Sequence, residues 1–415
     1  MKILFLPTYC KPEKAASGYL GQNRNQAYAD LGWDMVTFAP TPCRGITKEE
    51  RKKYKGKSYR TEVDFDGHRT IHRFSMYAEG KNPVLRAFRY FLISIKHLNR
   101  ALFSKHAKGV DVMFLGSTPP YQGLLGTVVK KIRHIPFVYN LQDIFPDSLV
   151  GTGLAKKDGI LWKIGRVIEN ITYRNADKIV VISQDFKKNI MAKGVPEEKI
   201  EVVYNWVDEN AVVPVNDEDN ELFEEFGISR EKFRVVYAGT LGNAQNIGII
   251  LDAARRLKEN NSIEFAIFGK GSMKDEIKSA KDKEQLDNLK IFPIQPYERV
   301  AKVYGLGNVC IVACKAGLGG AAMPSKTWSI MSAGRAVLAN FDEGELKEIV
   351  ENNHCGVFTQ ADDLDGFVAA IEELSQHPER CAEMGRNGRQ FILENLTREV
   401  GTQKYVEVIK SVAKS

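Results

Sequence analysis

Short apolar runs of β character alternate with longer helical patterns along most of this chain, and this alternation limits the folds that it can adopt. Strands that alternate with helices pair in parallel, and the helices cover the faces of the sheet. The sequence therefore predicts an α/β protein with two doubly wound, Rossmann-like domains in tandem. The predicted strands occupy residues 3–6, 35–39, 110–115, 137–141 and 178–182 in the first half, and residues 235–238, 264–268, 289–292, 309–313 and 336–339 in the second.

A polar stretch separates the two series of strands. Residues 209–225 are rich in Asp and Glu and contain Pro214, a composition typical of a solvated connector. We therefore predict a first domain over residues 1–208, a linker over residues 209–232 and a second domain over residues 233–397. A last helical pattern begins at Arg398, after the second sheet is complete.

Charge is divided unevenly along the 415 residues. Residues 1–200 contain 34 Lys and Arg against 18 Asp and Glu, whereas residues 201–415 contain 25 against 34. The basic first half favours an anionic partner, such as a phospholipid surface or a lipid diphosphate. No nucleic-acid-binding module is recognisable, so a nucleic acid partner is not predicted.

Targeting and redox signals are few. No stretch reaches the roughly 18 to 20 consecutive apolar residues that span a bilayer, and the apolar start meets Pro7 too early for a signal peptide. The six cysteines include no Cys-x-x-Cys pair and no His spacing suited to zinc. These features predict a cytoplasmic protein with reduced thiols and no metal site.

Residues 176–208, ADKIVVISQDFKKNIMAKGVPEEKIEVVYNWVD, combine a strand, a helix, a second strand and a polar turn. Ser183 is suited to cap the helix, and Gly194-Val195-Pro196 is suited to end it. The turn Asn205-Trp206-Val207-Asp208 stands where family 4 glycosyltransferases carry Asn-Gly-Val-Asp. The segment resembles the interdomain region of that family.

This resemblance implies a GT-B fold, in which the helix over residues 398–415 crosses back to the first domain. A terminal helix that faces solvent is the alternative. The resemblance also implies that the second domain binds a nucleotide-sugar donor and the first domain binds the acceptor.

Several predicted strand-to-helix turns are rich in glycine, and ligands of open α/β sheets bind at such turns. Backbone N–H groups of a glycine-rich turn that enters a helix can approach a phosphate closely. The resemblance implies a diphosphate at the turn that enters a helix near Ala244, the nucleoside near Lys270 and the base at Pro293. The alternatives are a purely structural turn before Ala244, a flexible loop at Ser17 and Gly18, and a solvated surface charge at Lys270. The candidate donor residues in these turns are Ser17, Gly18, Gly239, Thr240, Gly242, Asn243, Gly269, Lys270 and Pro293.

Residues 317–338, GLGGAAMPSKTWSIMSAGRAVL, resemble the signature loop and helix of the family in a Pro-Ser-Lys form. Pro324 and Ser325 suit a helix start, where free N–H groups and the helix dipole favour an anion, and Lys326 adds a full positive charge. This is the strongest diphosphate-binding candidate. The family commonly has two glutamates eight positions apart, but Ala321 and Ser329 stand at the aligned positions, so Ser329 offers only a short uncharged partner for the ribose.

Asp143 lies at the end of a predicted strand, in a segment that resembles the part of the family facing the donor sugar. Pro146 prevents a helix from starting at once, so the carboxylate is placed to face a ligand. A cap or a turn is the alternative for Asp143. Asn205 is a further candidate, although Asx-turn chemistry explains both Asn205 and Asp208 without function.

Residues 84–104 form an amphipathic helical pattern with interspersed basic residues, and the run at residues 51–60 adds more positive charge. Such a pattern is typical of contact with a membrane surface or with a polyprenyl diphosphate. A helix that buries its apolar face in the core is the alternative. The charge of the first half favours membrane contact, which places the protein at the inner face of the cell membrane.

By resemblance, the chain is predicted to be a retaining glycosyltransferase that uses a nucleotide-sugar, UDP favoured over GDP, without a cofactor. The predicted acceptor is a saccharide linked to polyprenyl diphosphate, in bacterial capsule, exopolysaccharide or O-antigen assembly. Lys326 and Asp143 are the predicted catalytic residues. The alternatives are a GT-B nucleotide-sugar epimerase and a catalytically degenerate GT-B protein that binds a partner.

Overall fold

The computed structural model describes residues 1–13, 18–54, 60–80, 82–151 and 155–413. The contacts divide the chain into two compact units. The first unit consists of Met1–Tyr204 together with Gly401–Ser415, and the second consists of Asn205–Val400.

The sheet of the first unit has eight strands in the order β3-β4-β2-β1-β5-β6-β7-β8. All neighbouring pairs are parallel except β3 and β4, which are antiparallel. The strands are β1 (Lys2–Phe5), β2 (Asp34–Pro40), β3 (Thr61–Asp64), β4 (Arg69–Phe74), β5 (Val112–Gly116), β6 (Phe137–Leu141), β7 (Lys178–Val181) and β8 (Ile200–Val202).

The sheet of the second unit has six parallel strands in the order β11-β10-β9-β12-β13-β14. Chain order reverses between β9 and β12, which is the topological switch point at which doubly wound sheets bind ligands. The strands are β9 (Phe233–Thr240), β10 (Ile263–Lys270), β11 (Leu289–Pro293), β12 (Val309–Ala313), β13 (Ala336–Phe341) and β14 (Gly356–Gln360).

Helices connect most of these strands. Those of the first unit are α1 (Gly18–Asp30), α2 (Lys48–Lys53), α3 (Pro83–Phe103), α4 (Gln122–Arg133), α5 (Asp147–Gly151), α6 (Ile160–Asn175) and α7 (Gln184–Ala192). Those that follow are α8 (Leu222–Phe226), α9 (Ile247–Arg256), α10 (Lys274–Glu284), α11 (Val300–Gly305), α12 (Lys326–Ser332), α13 (Glu345–Asn352), α14 (Leu364–Gln376), α15 (Pro378–Asn395) and α16 (Arg398–Val412).

The predicted two-domain α/β architecture is confirmed. Each of the ten predicted strands coincides with a strand of the structure, and the segment that carries the family resemblance folds as expected: the Ser183 hydroxyl accepts from the Phe186 N–H at 3.1 Å and caps α7. The pattern did not predict β3, β4 or β14. In β4 the buried residues include Arg69, His72 and Arg73, so alternation of apolar and polar residues gives no signal there.

Composition predicted a solvated connector over residues 209–232. The structure instead makes this stretch part of the second unit, although many of its residues are exposed. Leu222 and Phe223 of α8 are buried in the second unit. The Asp217 carboxylate pairs with the guanidinium of Arg234 at 2.6 Å. Asp217 therefore serves as the partner of a buried cation, a role that composition does not reveal. The first residue of the second unit is Asn205.

The predicted return of the C-terminal helix to the first unit is confirmed. Tyr405 of α16 is buried, and its hydroxyl donates to the side-chain oxygen of Asn140 on β6 at 3.0 Å. Its ring packs edge-on against Phe114 of β5, and the Arg24 guanidinium lies 4.0 Å from the Phe114 ring centroid. The last helix thus covers part of the sheet that the first 204 residues build.

The cysteines are free thiols. Cys43 is half-buried and the other five are buried.

Replacing Tyr405 with Phe is expected to lower the free energy of unfolding by about 1 kcal/mol, because a buried hydrogen bond to Asn140 is lost while the ring packing remains. Urea denaturation followed by circular dichroism measures this change. Tyr77→Phe is the matched control: its hydroxyl bond to the Leu85 carbonyl lies at the surface, so a change below about 0.5 kcal/mol is expected. Equal losses in the two variants would contradict the assignment.

Candidate active site

Strand register brings several predicted donor residues of the second unit together. Gly269, near the end of β10, pairs in register with Gly239 of β9 on one side and with Pro293 of β11 on the other. Lys270 pairs with Thr240 one position further along. Because the three strands are parallel, these residues lie side by side at the carboxyl edge of the sheet, where ligands of such sheets bind.

Steric constraints explain the glycines at this edge. A Cβ atom on Gly269 would lie 2.6 Å from the carbonyl oxygen of Gly239 and 2.6 Å from Cγ of Leu241. A Cβ atom on Gly271, just beyond β10, would lie 2.1 Å from the Leu241 carbonyl oxygen. The β9 turn therefore lies directly on the end of β10, and only glycine allows this approach.

Lys326 is the first residue of α12, and its side chain points back to the end of β9. Its Nζ lies 3.8 Å from the ring centroid of Tyr237, a cation–π contact, and 2.9 Å from the point where a Cβ of Gly239 would be. Gly239 also has φ of 148°, in the region that favours glycine. The Tyr237 hydroxyl donates to the Thr240 carbonyl at 2.7 Å and so holds the turn against the lysine.

The ammonium of Lys326 has no hydrogen-bond partner among the residues that the structure describes, although its nitrogen is shielded from solvent. Desolvation lowers the pKa of Lys326 from its ordinary value to about 7. A buried cation without a partner is costly, and an anion next to it removes that cost. This site is therefore suited to a phosphate oxygen at the edge formed by Gly239 and Gly269.

Two aspartates that the sequence reasoning missed hold the loop after β12. The Asp342 carboxylate accepts the N–H groups of Gly317 at 3.1 Å and Gly319 at 2.7 Å. Asp362 accepts from the Ala316 N–H at 3.4 Å and from the side-chain amide of Asn246 at 2.7 Å. Each aspartate comes just after the end of a β-strand, and that position was the available signal for both.

Two expected helix starts differ in detail. Residues 243–245 form a 3₁₀ turn, and α9 begins only at Ile247, because Asn246 has a positive φ of 46°. Gly242 and the exposed Asn243 therefore belong to a turn before the helix. The exposed Ser325 and half-buried Pro324 precede α12, and Ser329 is half-buried within it.

In the first unit, Ser17 lies outside the described residues. Gly18 is the first residue of α1 and is exposed, and a Cβ atom there would have nothing within 4 Å. No steric constraint therefore requires glycine at this position. Gly18 remains a prediction that rests on the resemblance.

Asp143 follows β6, is exposed, and lines a small pocket together with Tyr139 and Tyr173. Desolvation raises the pKa of the Asp143 carboxyl, and a hydrogen bond from Ser148 opposes that shift. The buried Glu169 also lines the pocket and was not predicted; it accepts from the Tyr173 hydroxyl at 2.7 Å and from Lys193 Nζ at 3.0 Å. A partly desolvated carboxyl of this kind can accept a hydrogen bond from a sugar hydroxyl.

Asn205 and Asp208 belong to the second unit. The Asp208 carboxylate accepts the N–H groups of Asn210 at 3.2 Å and Ala211 at 3.0 Å. This is the Asx turn that gives Asp208 a structural role. Asn205 is half-buried and stays a predicted donor contact.

Two family models match this chain. The model described as "Glycosyl transferase 4-like domain" matches residues 25–206, and the one described as "Glycosyl transferases group 1" matches residues 218–391. The chain belongs to the family 4 glycosyltransferases. It is therefore a transferase of glycosyl groups with the GT-B architecture that the two sheets display.

Two named relatives support this assignment, and one solved structure shares the fold. A "Probable glycosyltransferase WbjE" of Pseudomonas aeruginosa is 26% identical over 328 residues, 78% of either chain. A "Putative colanic acid biosynthesis glycosyl transferase WcaI" of Escherichia coli K12 is 26% identical over 288 residues, 68% of this chain and 70% of that protein. Anabaena HepE, solved with UDP and with UDP-glucose, superposes with a TM-score of 0.71 at 17% identity over 99% of this chain and 100% of its own.

No group of three or more His, Cys, Asp or Glu side chains in the described parts of the glycosyltransferase is arranged to hold a metal ion.

Replacing Gly269 with Ala is expected to lower the free energy of unfolding by about 2 kcal/mol or more, because the new methyl group would meet the Gly239 carbonyl and the Leu241 side chain. Chemical denaturation measures this loss. Gly248→Ala in α9 is the control, since a Cβ there has nothing within 4 Å, and we expect a gain of about 0.5 kcal/mol. A neutral Gly269→Ala variant would show that the strand end tolerates a wider turn.

Replacing Lys326 with Met is expected to raise the free energy of unfolding at pH 7 by about 1–3 kcal/mol, since an unpaired buried ammonium is removed while its volume is kept. The folded pKa of Lys326, about 7, lies below its unfolded value. Wild-type stability should therefore rise relative to the variant as the pH increases above about 7. Denaturation of both proteins between pH 6 and 9 measures the difference.

The exposed Lys278 of α10 provides the control. Lys278→Met is expected to change the free energy of unfolding by less than about 0.5 kcal/mol at every pH. The assignment of a desolvated ammonium would be contradicted by a Lys326→Met variant that is less stable than the wild type. A difference in free energy of unfolding that does not change with pH would contradict it as well.

Proposed function

We propose that this glycosyltransferase transfers a sugar from a nucleotide-sugar, with UDP favoured over GDP, to a saccharide carried on polyprenyl diphosphate. The proposed setting is bacterial surface polysaccharide assembly at the inner face of the cell membrane, and the anomeric configuration is retained. The observation that carries the proposal is the buried, unpartnered ammonium of Lys326 beside Gly239, among the described residues. The UDP-glucose bound by HepE and the colanic acid pathway named for WcaI support the choice of donor and setting.

Lys326 acts on the leaving group in this proposal. The bond between the sugar C1 and the diphosphate oxygen breaks, and negative charge develops on that oxygen as the sugar departs. A cation already fixed in a desolvated position stabilises this charge without reorganisation. The Gly239–Gly269 edge leaves room for the phosphate to approach the ammonium.

The acceptor hydroxyl forms the new bond to C1 on the face that the diphosphate leaves. Its proton passes to the departing phosphate oxygen, so no protein nucleophile is needed. Asp143 would orient the donor sugar or the acceptor through a hydrogen bond, a role supported by its partly desolvated carboxyl. We propose that no metal takes part, and unchanged turnover in the presence of EDTA would support this.

A degenerate protein that binds without turnover is the second candidate, and the observation in its favour is the absence of both family glutamates. Ala321 and Ser329 stand at those positions. The compact edge around Lys326 opposes it, since a buried unpaired cation is costly in a protein that binds no anion.

The test incubates the purified protein with a panel of UDP- and GDP-sugars, with and without a membrane extract that carries lipid-linked saccharides. Released nucleotide and labelled lipid are measured. We expect transfer of label to lipid from one donor, and a loss of about 10²- to 10³-fold in kcat/KM for Lys326→Ala. Lys278→Ala should retain wild-type activity, because Lys278 is exposed on α10.

The other outcomes identify the alternatives. Conversion of the donor to an isomer would indicate an epimerase. Donor binding without nucleotide release, over the whole panel, would overturn the proposed activity in favour of a binding protein.

A further inference from the structure

Three neighbouring helices of the first unit carry most of the exposed apolar surface. Of the 22 large hydrophobic side chains that are exposed in the described chain, six lie on α3, two on α4 and five on α6, which makes 13. Soluble surfaces rarely concentrate apolar side chains in this way unless something binds them. The set, named here the three-helix face, is Val84, Leu85, Phe88, Phe91, Ile95, Phe103, Val128, Ile132, Ile160, Leu161, Ile164, Val167 and Ile171.

Helix α3 is turned so that polar residues face the core. Arg89 and His97 are fully buried: the Arg89 Nε donates to the Tyr77 carbonyl at 3.0 Å, and His97 Nε2 bonds to the Phe38 carbonyl at 2.9 Å. Phe88 and Phe91, on the other side, are 52% and 57% exposed. The inner side of α3 thus carries an arginine and a histidine beside the buried Ile93 and Ala101, while two phenylalanines face outward, an exposure that is unusual for a surface helix.

Helix α6 repeats the arrangement. Ile160, Ile164, Val167 and Ile171 are exposed and follow the spacing i, i+4, i+7, i+11, which forms one stripe along a helix. On α3 the same spacing relates Val84, Phe88, Phe91 and Ile95. Two extended apolar stripes of this kind favour a broad, flat partner rather than a single small ligand.

Helix α4 joins the two stripes, since it packs against both α3 and α6. Its contact with α6 is close: a Cβ on Gly123 would lie 2.0 Å from the Thr172 side chain. Val128 and Ile132 are the outward apolar residues of α4. The three helices therefore form one continuous layer, and the exposed side chains form one surface.

Charge identifies the partner of this surface. Helices α3 and α4 contain no Asp or Glu, and exposed basic residues accompany the apolar ones, among them Lys96, Lys131, Lys163 and Arg174. An apolar surface with a basic surround matches an anionic lipid interface, in which apolar side chains enter the acyl boundary and cations meet headgroups. Within the described ranges, no helix is long and apolar enough to cross a membrane.

We propose that the three-helix face docks on an anionic phospholipid bilayer, with α3 and α6 lying in the plane of the membrane surface. The proposal deepens the proposed function, on which it rests for the membrane-bound acceptor. It extends the expectation for residues 84–104 to α4 and α6, which the sequence reasoning had not included. Mutual repulsion of basic groups disfavours a second copy of the chain as the occupant.

Flotation with lipid vesicles measures binding directly, in the absence of donor and acceptor. We expect binding to phosphatidylglycerol vesicles at least tenfold stronger than to phosphatidylcholine vesicles, and weaker at 0.5 M salt. The double variants Phe88→Ser/Phe91→Ser and Ile164→Ser/Val167→Ser should each lower binding at least tenfold. Leu393→Ser, 49% exposed on α15 of the second unit, is the matched control and should leave binding within about twofold.

Several results would overturn the proposal. One is absence of flotation by the wild type. Another is an equal loss of vesicle binding in the Leu393→Ser control. A third is a dimer that sedimentation detects in the absence of lipid and that the double variants no longer form. The sugar-transfer assay is separate: if transfer fails while vesicles bind, only the proposed function fails. If the proposal holds, the folded double variants should transfer sugar to a detergent-dispersed acceptor and lose activity only on vesicles.

Discussion

Parallel strand pairing controls where chemistry can occur in the second unit. The register of β9, β10 and β11 places Gly239, Gly269 and Pro293 next to one another, although they are far apart along the chain. A shift of one residue would replace this open edge with side chains. The glycine contacts at the strand ends and the access to Lys326 both depend on that register.

The lysine at this edge carries a cost to stability that the proposed binding of a diphosphate would offset. Lys326 is desolvated, lies on the Tyr237 ring and has no hydrogen-bond partner within the described residues. Its surroundings are held by other groups: the Tyr237 hydroxyl fixes the β9 turn, and Asp342 fixes the loop before α12. This frame holds the ammonium in place and away from water. A cation held in this way stabilises the negative charge of a leaving phosphate more strongly than a solvated cation does.

The first unit shows how an amphipathic pattern leaves orientation open. Helix α3 has apolar residues at helical spacing, and two interpretations, a core helix or a membrane-surface helix, fit that pattern equally. The structure places Arg89 and His97 in the core because the backbone carbonyls of Tyr77 and Phe38 accept their hydrogen bonds. Buried polar groups are tolerated when such partners exist, so Phe88 and Phe91 are left facing outward.

The sequence by itself determined the two α/β domains, the ten strands with apolar runs and the Ser183 cap, because these depend on local periodicity and capping chemistry. It also marked Gly239, Gly269 and Lys326 as candidates. Only the tertiary structure decided that Lys326 reaches Gly239, that Asp342 and Asp362 hold the adjacent loop, and that α3 and α6 turn their apolar stripes outward. These outcomes depend on contacts between residues distant in the chain and on which buried polar groups find partners, and local sequence patterns carry neither kind of information.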